Sequence, residues 1–532
     1  MEATPPVGSR RLRVGVLCIR TDLTGRDAEL IDALLQRAAC VESIVVFHMP
    51  SAENPMRELA FRWFGVVLHA MGRHRIFHVT PSGLSGPRVE IVEAAEDSLV
   101  QKLHAASIDV VIDLRRGRPQ PVQASAVRIG ALAIWCDGER EDLRFSTVFR
   151  TRQVSRRLAI TFSDSGSSSQ SVIAESIQIS AGIVSVDRRL LAGRAIALIV
   201  RAVRSATFSP IRPMATPQRP TLSVRKAIGL FAISIAWHLR ERSFRVWRRS
   251  DAWFLASRPL GPSTAPRLPV PRSPVFTAVE GPRDGFFADP CVLNRDGVDH
   301  VFFEEYSAGT RRGVISHVVM DAQGLASKVI TVLAKPYHLS YPFVFEHNDE
   351  TFLVPESAQN GSVDLYQAVE FPEKWVHVKT LLSGVNAADS TLYHDGTTWW
   401  LFACVGEYGS STWDELFVYF ADDLLGDWLP HPANPVKSDF SSARPAGALF
   451  VQEGVLIRPA QDCSTGYGAG VVFCAVDRLT RAEFQEHVLR RVGPELIPGT
   501  DALHTVSASH TLEVVDAKWA SRSGHSSDRG TA

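Results

Sequence analysis

The stretch ADPCVLNRDGVDHVFFEE, residues 288–305, decides the fold. An Asp and a Pro head a short apolar run, a charged Gly-containing turn follows, and a second apolar run closes the unit. The pattern returns as SYPFVFEHNDETFLVPES (340–357), ADSTLYHDGTTWWLFACV (388–405), ARPAGALFVQEGVLIRPAQD (443–462) and LHTVSASHTLEVVDAKW (503–519). Each unit starts with one polar or aromatic residue and then Pro, Ser or Thr. These head residues are Asp289, Tyr341, Asp389, Arg444 and His504, spaced 52, 48, 55 and 60 residues apart. Repeats of about 40–50 residues with several strands each have the size of propeller blades. Five units predict five blades, with the first strand of each lining a central channel and the five heads meeting at one end of it. The turn spacing also suits a β-sandwich, but the fixed head at five unit starts favours the propeller.

Working outward, 532 residues exceed one core and predict a multidomain chain. A formal net charge of zero gives no global field for nucleic acid or anionic lipid. The seven Cys form no CxxC pair, which argues against a zinc site or redox dithiol and for free thiols in a reducing, cytoplasmic setting. The N-terminal apolar run is too short for a signal peptide. Residues 12–204 read as an α/β domain with a parallel sheet, since RVGVLCI, SIVVFHM, IDVVIDL and GALAIWCDG alternate with helical patterns. No GxGxxG or GxxxxGK[ST] follows the first strand, so a dinucleotide or P-loop site has no support, and no cofactor or metal is expected. Residues 205–285 form a Pro- and Arg-rich linker with a helix at 223–248. Across 201–260, 12 Arg and Lys face two acids; a basic segment such as 223–249 can lie on anionic lipid as a peripheral contact, or bridge two domains. Residues 286–519 are the all-β region, and the polar tail 520–532 is expected to be disordered.

A ring of Asp289, Tyr341, Asp389, Arg444 and His504 is costly to desolvate unless its members are paired or used. The second strands add Glu304, Glu305, Glu356, Arg458, Gln461 and Asp462. Paired carboxylates across a groove are what glycoside hydrolysis requires: one activates water or attacks the anomeric carbon, and the other protonates the leaving oxygen. Asp289, Asp389 and Glu356 are therefore the catalytic candidates. Tyr341, Arg444, Arg458, Asp462, His504 and His338 are the substrate-binding candidates. Each has a structural alternative: Asp389 in an Asx turn, Arg444 and Arg458 in salt bridges, His504 as an inter-blade hydrogen bonder. Trp399 and Trp400 alternate faces of one strand, so at most one meets a ligand.

FFADPCVL, YHLSYPFVFEHNDETFLVPES, ADSTLYHDGTTWWLFA, HPANPV, ARPAGALF, RPAQDCSTGYG and LHTVS occur in an order that resembles a known propeller domain. It is the N-terminal domain of the plant glucosamine inositolphosphorylceramide transferases, similar in turn to the five-bladed propellers of arabinanases, xylosidases, invertases and levansucrases. That resemblance implies an Asp of the first blade as base or nucleophile, matched by Asp289. It implies a second Asp in the third blade, matched by Asp389. The usual general acid, a Glu of a later blade, has no counterpart; Glu356 of the second blade is the substitute. In the plant proteins sugar transfer belongs to a separate glycosyltransferase domain, and no counterpart of it is expected within these 532 residues. DVVIDLRRG and RIGALAIWCDGERED resemble formyltransferases, whose chemistry needs an Asn, a His and an Asp. IWCDGE supplies Asp137 without the other two, so the resemblance implies a degenerate, non-catalytic relative.

The leading expectation is a propeller that binds a carbohydrate or glycoconjugate and cleaves or transfers a glycosyl group. The second is a non-catalytic glycan-binding or scaffold module whose Arg444, Arg458 and His504 hold an anionic group. The third is a formyl or acyl transferase on a sugar nucleotide.

Overall fold

The computed structural model describes residues 11–19, 25–38, 40–49, 88–115, 124–137, 139–141, 145, 155–165, 170–180, 184–205, 208–213, 253–260, 276–321, 324–325 and 327–520. The helix expected at 223–248, its lipid contact through 223–249, and tail residues 521–532 lie outside the described residues. No helix among the described residues is long and apolar enough to cross a membrane. The chain divides into two compact units, one holding Met1–Glu241 with Glu407–Ser410, the other Arg242–Gly406 with Ser411–Ala532.

In the first unit, five strands run parallel in the order Val89–Glu93, Val41–Met49, Leu12–Ile19, Val110–Asp113, Gly130–Cys136. Period-two alternation splits their side chains between two cores. Val14, Val16, Ile44, Val46, Val110 and Ile112 pack with helices Gly25–Arg37 and Val184–Ser205. Leu17, Val45, Phe47 and Val111 pack with helix Leu99–Ala105. Burial on both faces explains the unbroken apolar runs. The sheet is not wholly parallel, however. Ser155–Asp164 joins Gly130–Cys136 antiparallel, and Gln170–Ile179 joins that strand antiparallel. Both mix polar with apolar residues, and Gln170–Ile179 leaves one face less covered although Ser155–Asp164 is buried from Leu158 to Ser163, so they lack the unbroken apolar runs of the others. Asp137 has φ 51° and accepts from Arg156 Nη1 at 3.0 Å and the Arg157 N–H at 2.9 Å, so it is engaged within its own sheet.

The second unit contains five separate antiparallel sheets. Blade 1 is built on Gly285–Arg295 and Val298–Ser307, blade 2 on Ser340–His347 and Glu350–Ser357, and blade 3 on Ala387–His394 and Trp399–Val405. Blade 4 is built on Phe450–Gln452 and Val455–Asp462, and blade 5 on Thr500–Ala508 and Leu512–Trp519. Alternation again decides the packing. Val301 and Phe303 point into a core shared with Leu255, Leu512 and Val514 of blade 5, whereas Phe302 points into one shared with Val344 and Leu353 of blade 2. Three further cores join blade 2 to 3, 3 to 4 and 4 to 5. Five blades linked by five shared cores make a closed ring. Trp399 and Trp400 fall into the cores on opposite sides of blade 3, and both are packing residues.

Blade 5 differs from the sequence reading. Its outer strands are Trp253–Pro259, antiparallel to Leu512–Trp519, and Thr277–Glu280 beside it. Residues 253–259 and 277–280 fall in the expected 205–285 linker, where Pro-rich residues mask two short strands that pair with each other and join blade 5 through 253–259 when the ring closes.

The heads share one backbone device. Blade 1 pairs Ala288 with Glu304 and next Cys291 with Phe302, three steps on one strand against two on the other. Blades 2, 3 and 5 repeat this slip at Ser340/Phe343, Ala388/Thr391 and Leu503/Val506. An extra residue inserted in this way is a β-bulge, which bends the strand and re-aims a side chain. Asp289, Tyr341 and Asp389 sit in their bulges at φ 54°, 42° and 53°. Left-handed backbone in a non-Gly residue is strain kept at sites that use it. Pro290 and Pro342 follow, at a point where no ladder donor is needed. In blade 4 the inner pairing at the head narrows to a bridge between Pro445 and Ala460. Gly447 follows at φ 147°, where a Cβ would lie 2.1 Å from the Val506 carbonyl oxygen.

Candidate active site

The bulges leave their head N–H groups outside the ladder, and each is taken by a carboxylate. The Asp289 N–H donates to Asp516 Oδ2 at 2.9 Å, the Tyr341 N–H to Asp289 Oδ2 at 3.2 Å, and the Asp389 N–H to Glu356 Oε2 at 3.2 Å. The heads are thereby tied from blade to blade into one buried polar ring.

Two ion clusters organise it. His504 Nε2 lies 3.0 Å from Asp289 Oδ1, and its Nδ1 lies 2.9 Å from Asp516 Oδ1. Asp516 also accepts from the His504 N–H at 3.1 Å, the Thr505 N–H at 2.9 Å and the Thr505 hydroxyl at 2.5 Å. Burial opposes an imidazolium, but Asp516 and then Asp289 push the His504 pKa up to about 10. In the second cluster Arg444 Nε donates to Asp389 Oδ2 at 2.6 Å and Nη2 to Oδ1 at 3.2 Å, while Gln461 Nε2 reaches Oδ2 at 2.6 Å. Arg444 Nη2 stands 3.8 Å from Glu356 Oε2. Burial and then the Asp389 charge hold the Glu356 carboxyl well above its usual range, so it keeps its proton although its side chain is 14% exposed. Burial likewise raises Asp289, against the pull of His504.

The Tyr341 hydroxyl bonds Thr391 Oγ1 at 2.9 Å. Tyr467 lies 5.3 Å under the Arg444 guanidinium and 5.0 Å from the His504 ring, with Trp413 and Trp253 against it. Asp289, His504 and Asp516 offer three atoms within 4.8 Å of one another that could hold a metal ion. Both imidazole nitrogens already face carboxylates, so an ion there would have to displace the imidazolium proton.

The structure thus gathers Asp289, Tyr341, Glu356, Asp389, Arg444 and His504. His338 stands beside them, accepting the Gly313 N–H at Nδ1 (2.8 Å) with Nε2 3.6 Å from Glu304 Oε1. Arg458 and Asp462 are placed elsewhere. Arg458 is fully buried, bonds Glu486 at 2.8 and 2.6 Å and the Ser442 carbonyl at 2.6 Å, and works as blade 4 packing rather than as a ligand contact. Asp462 accepts from Arg491 at 2.8 Å and from the Ser464 N–H. Asp516 and Tyr467 belong to the site and were missed. Asp516 does leave a signal, a lone acid inside the apolar run LEVVDA.

Residues 267–517 match the family model described as glucosamine inositolphosphorylceramide transferase 1, N-terminal. The propeller belongs to that family. The match starts before the first blade and so takes in part of blade 5's outer edge; it does not reach the N-terminal sheet. Curated relatives agree. Glucosamine inositolphosphorylceramide transferase 1 of Oryza sativa subsp. japonica is 35% identical over 222 residues, 40% of this chain and 30% of the rice protein. The Arabidopsis thaliana protein of the same name is 30% identical over 269 residues, 49% of this chain and 33% of that one. The chain therefore spans about a third of the length of the relatives it matches. Among solved structures, the catalytic domain of Coprinopsis cinerea GH62 alpha-L-arabinofuranosidase is similar at 14% identity and a TM-score of 0.34, over 51% of this chain and 98% of that one. A likeness that slight carries no argument about chemistry.

The ring's titration gives a stability prediction. A histidine whose folded pKa is raised contributes fully below its ordinary value near 6.5 and loses that contribution as pH climbs through about 10. Glu304 and Glu356, also raised, weaken folding in the same direction once pH passes 4.5, where the unfolded chain gives up protons that the fold retains. The propeller's thermal midpoint should therefore be highest in mildly acid solution and fall steadily between pH 7 and 10. His504→Gln should flatten that upper limb, as read by tryptophan fluorescence melts.

Proposed function

We propose that the propeller binds a carbohydrate or glycoconjugate at this ring and cleaves or transfers a glycosyl group. The observation that carries the reading is the contrast between two carboxyls of one network. Glu356 is held protonated and partly exposed, while Asp289 lies against the His504 imidazolium. Burial raises both carboxyls, but the His504 imidazolium 3.0 Å from Asp289 opposes that rise more closely than Arg444, 3.8 Å away, opposes it at Glu356; unequal surroundings of this kind separate base from acid in glycoside chemistry. Glu356 protonates the leaving oxygen. Asp289 takes a proton from water or attacks the anomeric carbon, fixed in orientation by His504 and the Tyr341 N–H. Asp389, clamped by Arg444 and Gln461, keeps the proton on Glu356 by its charge. The family's name is consistent with a sugar-related role, although it was given to proteins about three times as long as the matched region.

Aryl glycosides test the roles. Asp289→Asn and Glu356→Gln should each lower turnover by about a thousandfold on substrates with a poor leaving group. A good leaving group needs no acid, so it should restore Glu356→Gln and not Asp289→Asn. One observation favours a binding module instead: both oxygens of Asp289 and both of Asp389 already have protein partners. Sugar binding that survives Asp289→Asn, with no product from the wild type on any glycoside, would establish that second reading.

A further inference from the structure

Glu304 is the acid in the ring that the chemistry above does not use. By register it is the twin of Glu356: Glu304 pairs with Ala288 and Glu356 with Ser340, each one residue before a bulged head. Glu356 accepts the N–H of the next blade's head, Asp389. The matching donor for Glu304 is the Tyr341 N–H, and Asp289 has taken it. Glu304 Oε1 is consequently buried with no hydrogen-bond partner, on a residue 5% exposed. Its place is kept open. A Cβ on Gly313 would lie 2.6 Å from Glu304 Oε1 and 2.4 Å from the Leu339 carbonyl oxygen. His338 accepts the Gly313 N–H at Nδ1, so the neutral ring carries its proton on Nε2, facing Glu304 across 3.6 Å. That His338 side chain is 33% exposed, which marks the side from which solvent approaches. Burial first, and then the neighbouring Asp289 and Glu356 carboxyls, keep Glu304 neutral.

The cations of the ring are in the opposite state. His504 lies between Asp289 and Asp516, and Arg444 lies on Asp389. Three carboxylates thus face two cations, while Glu304 Oε1, Gln461 Oε1 and Ser390 Oγ are buried without a hydrogen-bond partner, and none of these groups is a cation. A phosphate or uronate would meet no unpaired cation and an excess of negative charge. A sugar hydroxyl both gives and takes a hydrogen bond, which suits a neutral carboxyl with an unpartnered oxygen.

We propose that Glu304 is a hydroxyl-reading residue of the site and that the sugar taken up carries no negative charge. This rests on the carbohydrate reading of the ring. It speaks against the alternative in which Arg444, Arg458 and His504 hold an anionic group.

The test is a glycan array of neutral, amino and acidic oligosaccharides, probed with the full chain and with Glu304→Gln and Glu304→Leu. The wild type should bind neutral or amino glycans and leave uronate and phosphorylated ones unbound. Glutamine keeps a neutral donor and acceptor in the same shape, so Glu304→Gln should hold the same glycans within about threefold. Leucine removes the acceptor and should weaken them at least about tenfold, with a thermal midpoint no lower than the wild type's because an unpartnered buried polar atom is gone. Acidic glycans bound as well as neutral ones, or Glu304→Leu binding like the wild type, would overturn the proposal and leave the carbohydrate reading standing. A wild type that binds no glycan at all would sink both.

Discussion

An Asp516→Ala propeller is expected to lose on the order of 4 kcal/mol of stability, because the change strands several buried donors at once. Asp516 is wholly buried and gathers the Asp289, His504 and Thr505 N–H groups, the Thr505 hydroxyl and one side of the His504 ring. Alanine offers none of these a replacement acceptor. His504 would lose the partner that raises it most, and the blade 5 bulge would lose the acceptor for its two free N–H groups. Asp516→Asn should be intermediate, since its single carbonyl oxygen can still accept while its amide group opposes a donor. Denaturant unfolding followed by tryptophan fluorescence reads the propeller. An alanine variant within about 1 kcal/mol of the wild type would show that the network does not hold the ring's first and last blades together.

Arg444→Leu is expected to be nearly as damaging, about 3–5 kcal/mol, the range for leaving one member of a buried ion pair alone. Asp389 would keep only Gln461 and its charge would press harder on Glu356. The double change Arg444→Leu with Asp389→Leu should recover much of the loss, because no orphan charge remains. Its binding and turnover should nevertheless stay abolished. Recovery of stability without recovery of function separates the two roles of this pair. If the double variant is as unstable as the sum of the single ones, the Arg444–Asp389 contact is not what the fold depends on.

Much of this was legible from the five heads alone. A polar residue followed by Pro, Ser or Thr marks a place where the strand needs no ladder donor, and the structure supplies the reason as a one-residue bulge repeated in four blades. Asp289, Tyr341, Asp389, Arg444 and His504 could be named because they occupy equivalent positions. What stayed hidden depends on partners distant in the chain. Arg458 looks identical to Arg444 in its RPA context, but Glu486 of a later outer strand claims it. Glu304 and Glu356 look like twins, and only the diversion of the Tyr341 N–H makes one of them an orphan. The strands at 253–259 and 277–280 were unreadable for a similar reason. Each is a short run among prolines; 253–259 pairs with a strand more than two hundred residues further on, and 277–280 is the edge strand beside it.

That last pairing has a consequence for how the chain is made. Trp253–Pro259 leaves the ribosome well before blade 1, and its sheet partner Leu512–Trp519 follows only after four blades have been synthesised. Until then only the edge facing Thr277–Glu280 has a native partner, the opposite edge is bare, and the core that Leu255 shares with Phe287 and Val514 is incomplete. Blades 1 to 4 can assemble in order behind it, but the circle is sealed after translation has passed Trp519. A pause or truncation just short of that point would release an open arc with two unpaired ends, the form of this molecule most exposed to edge-to-edge aggregation and to capture by chaperones.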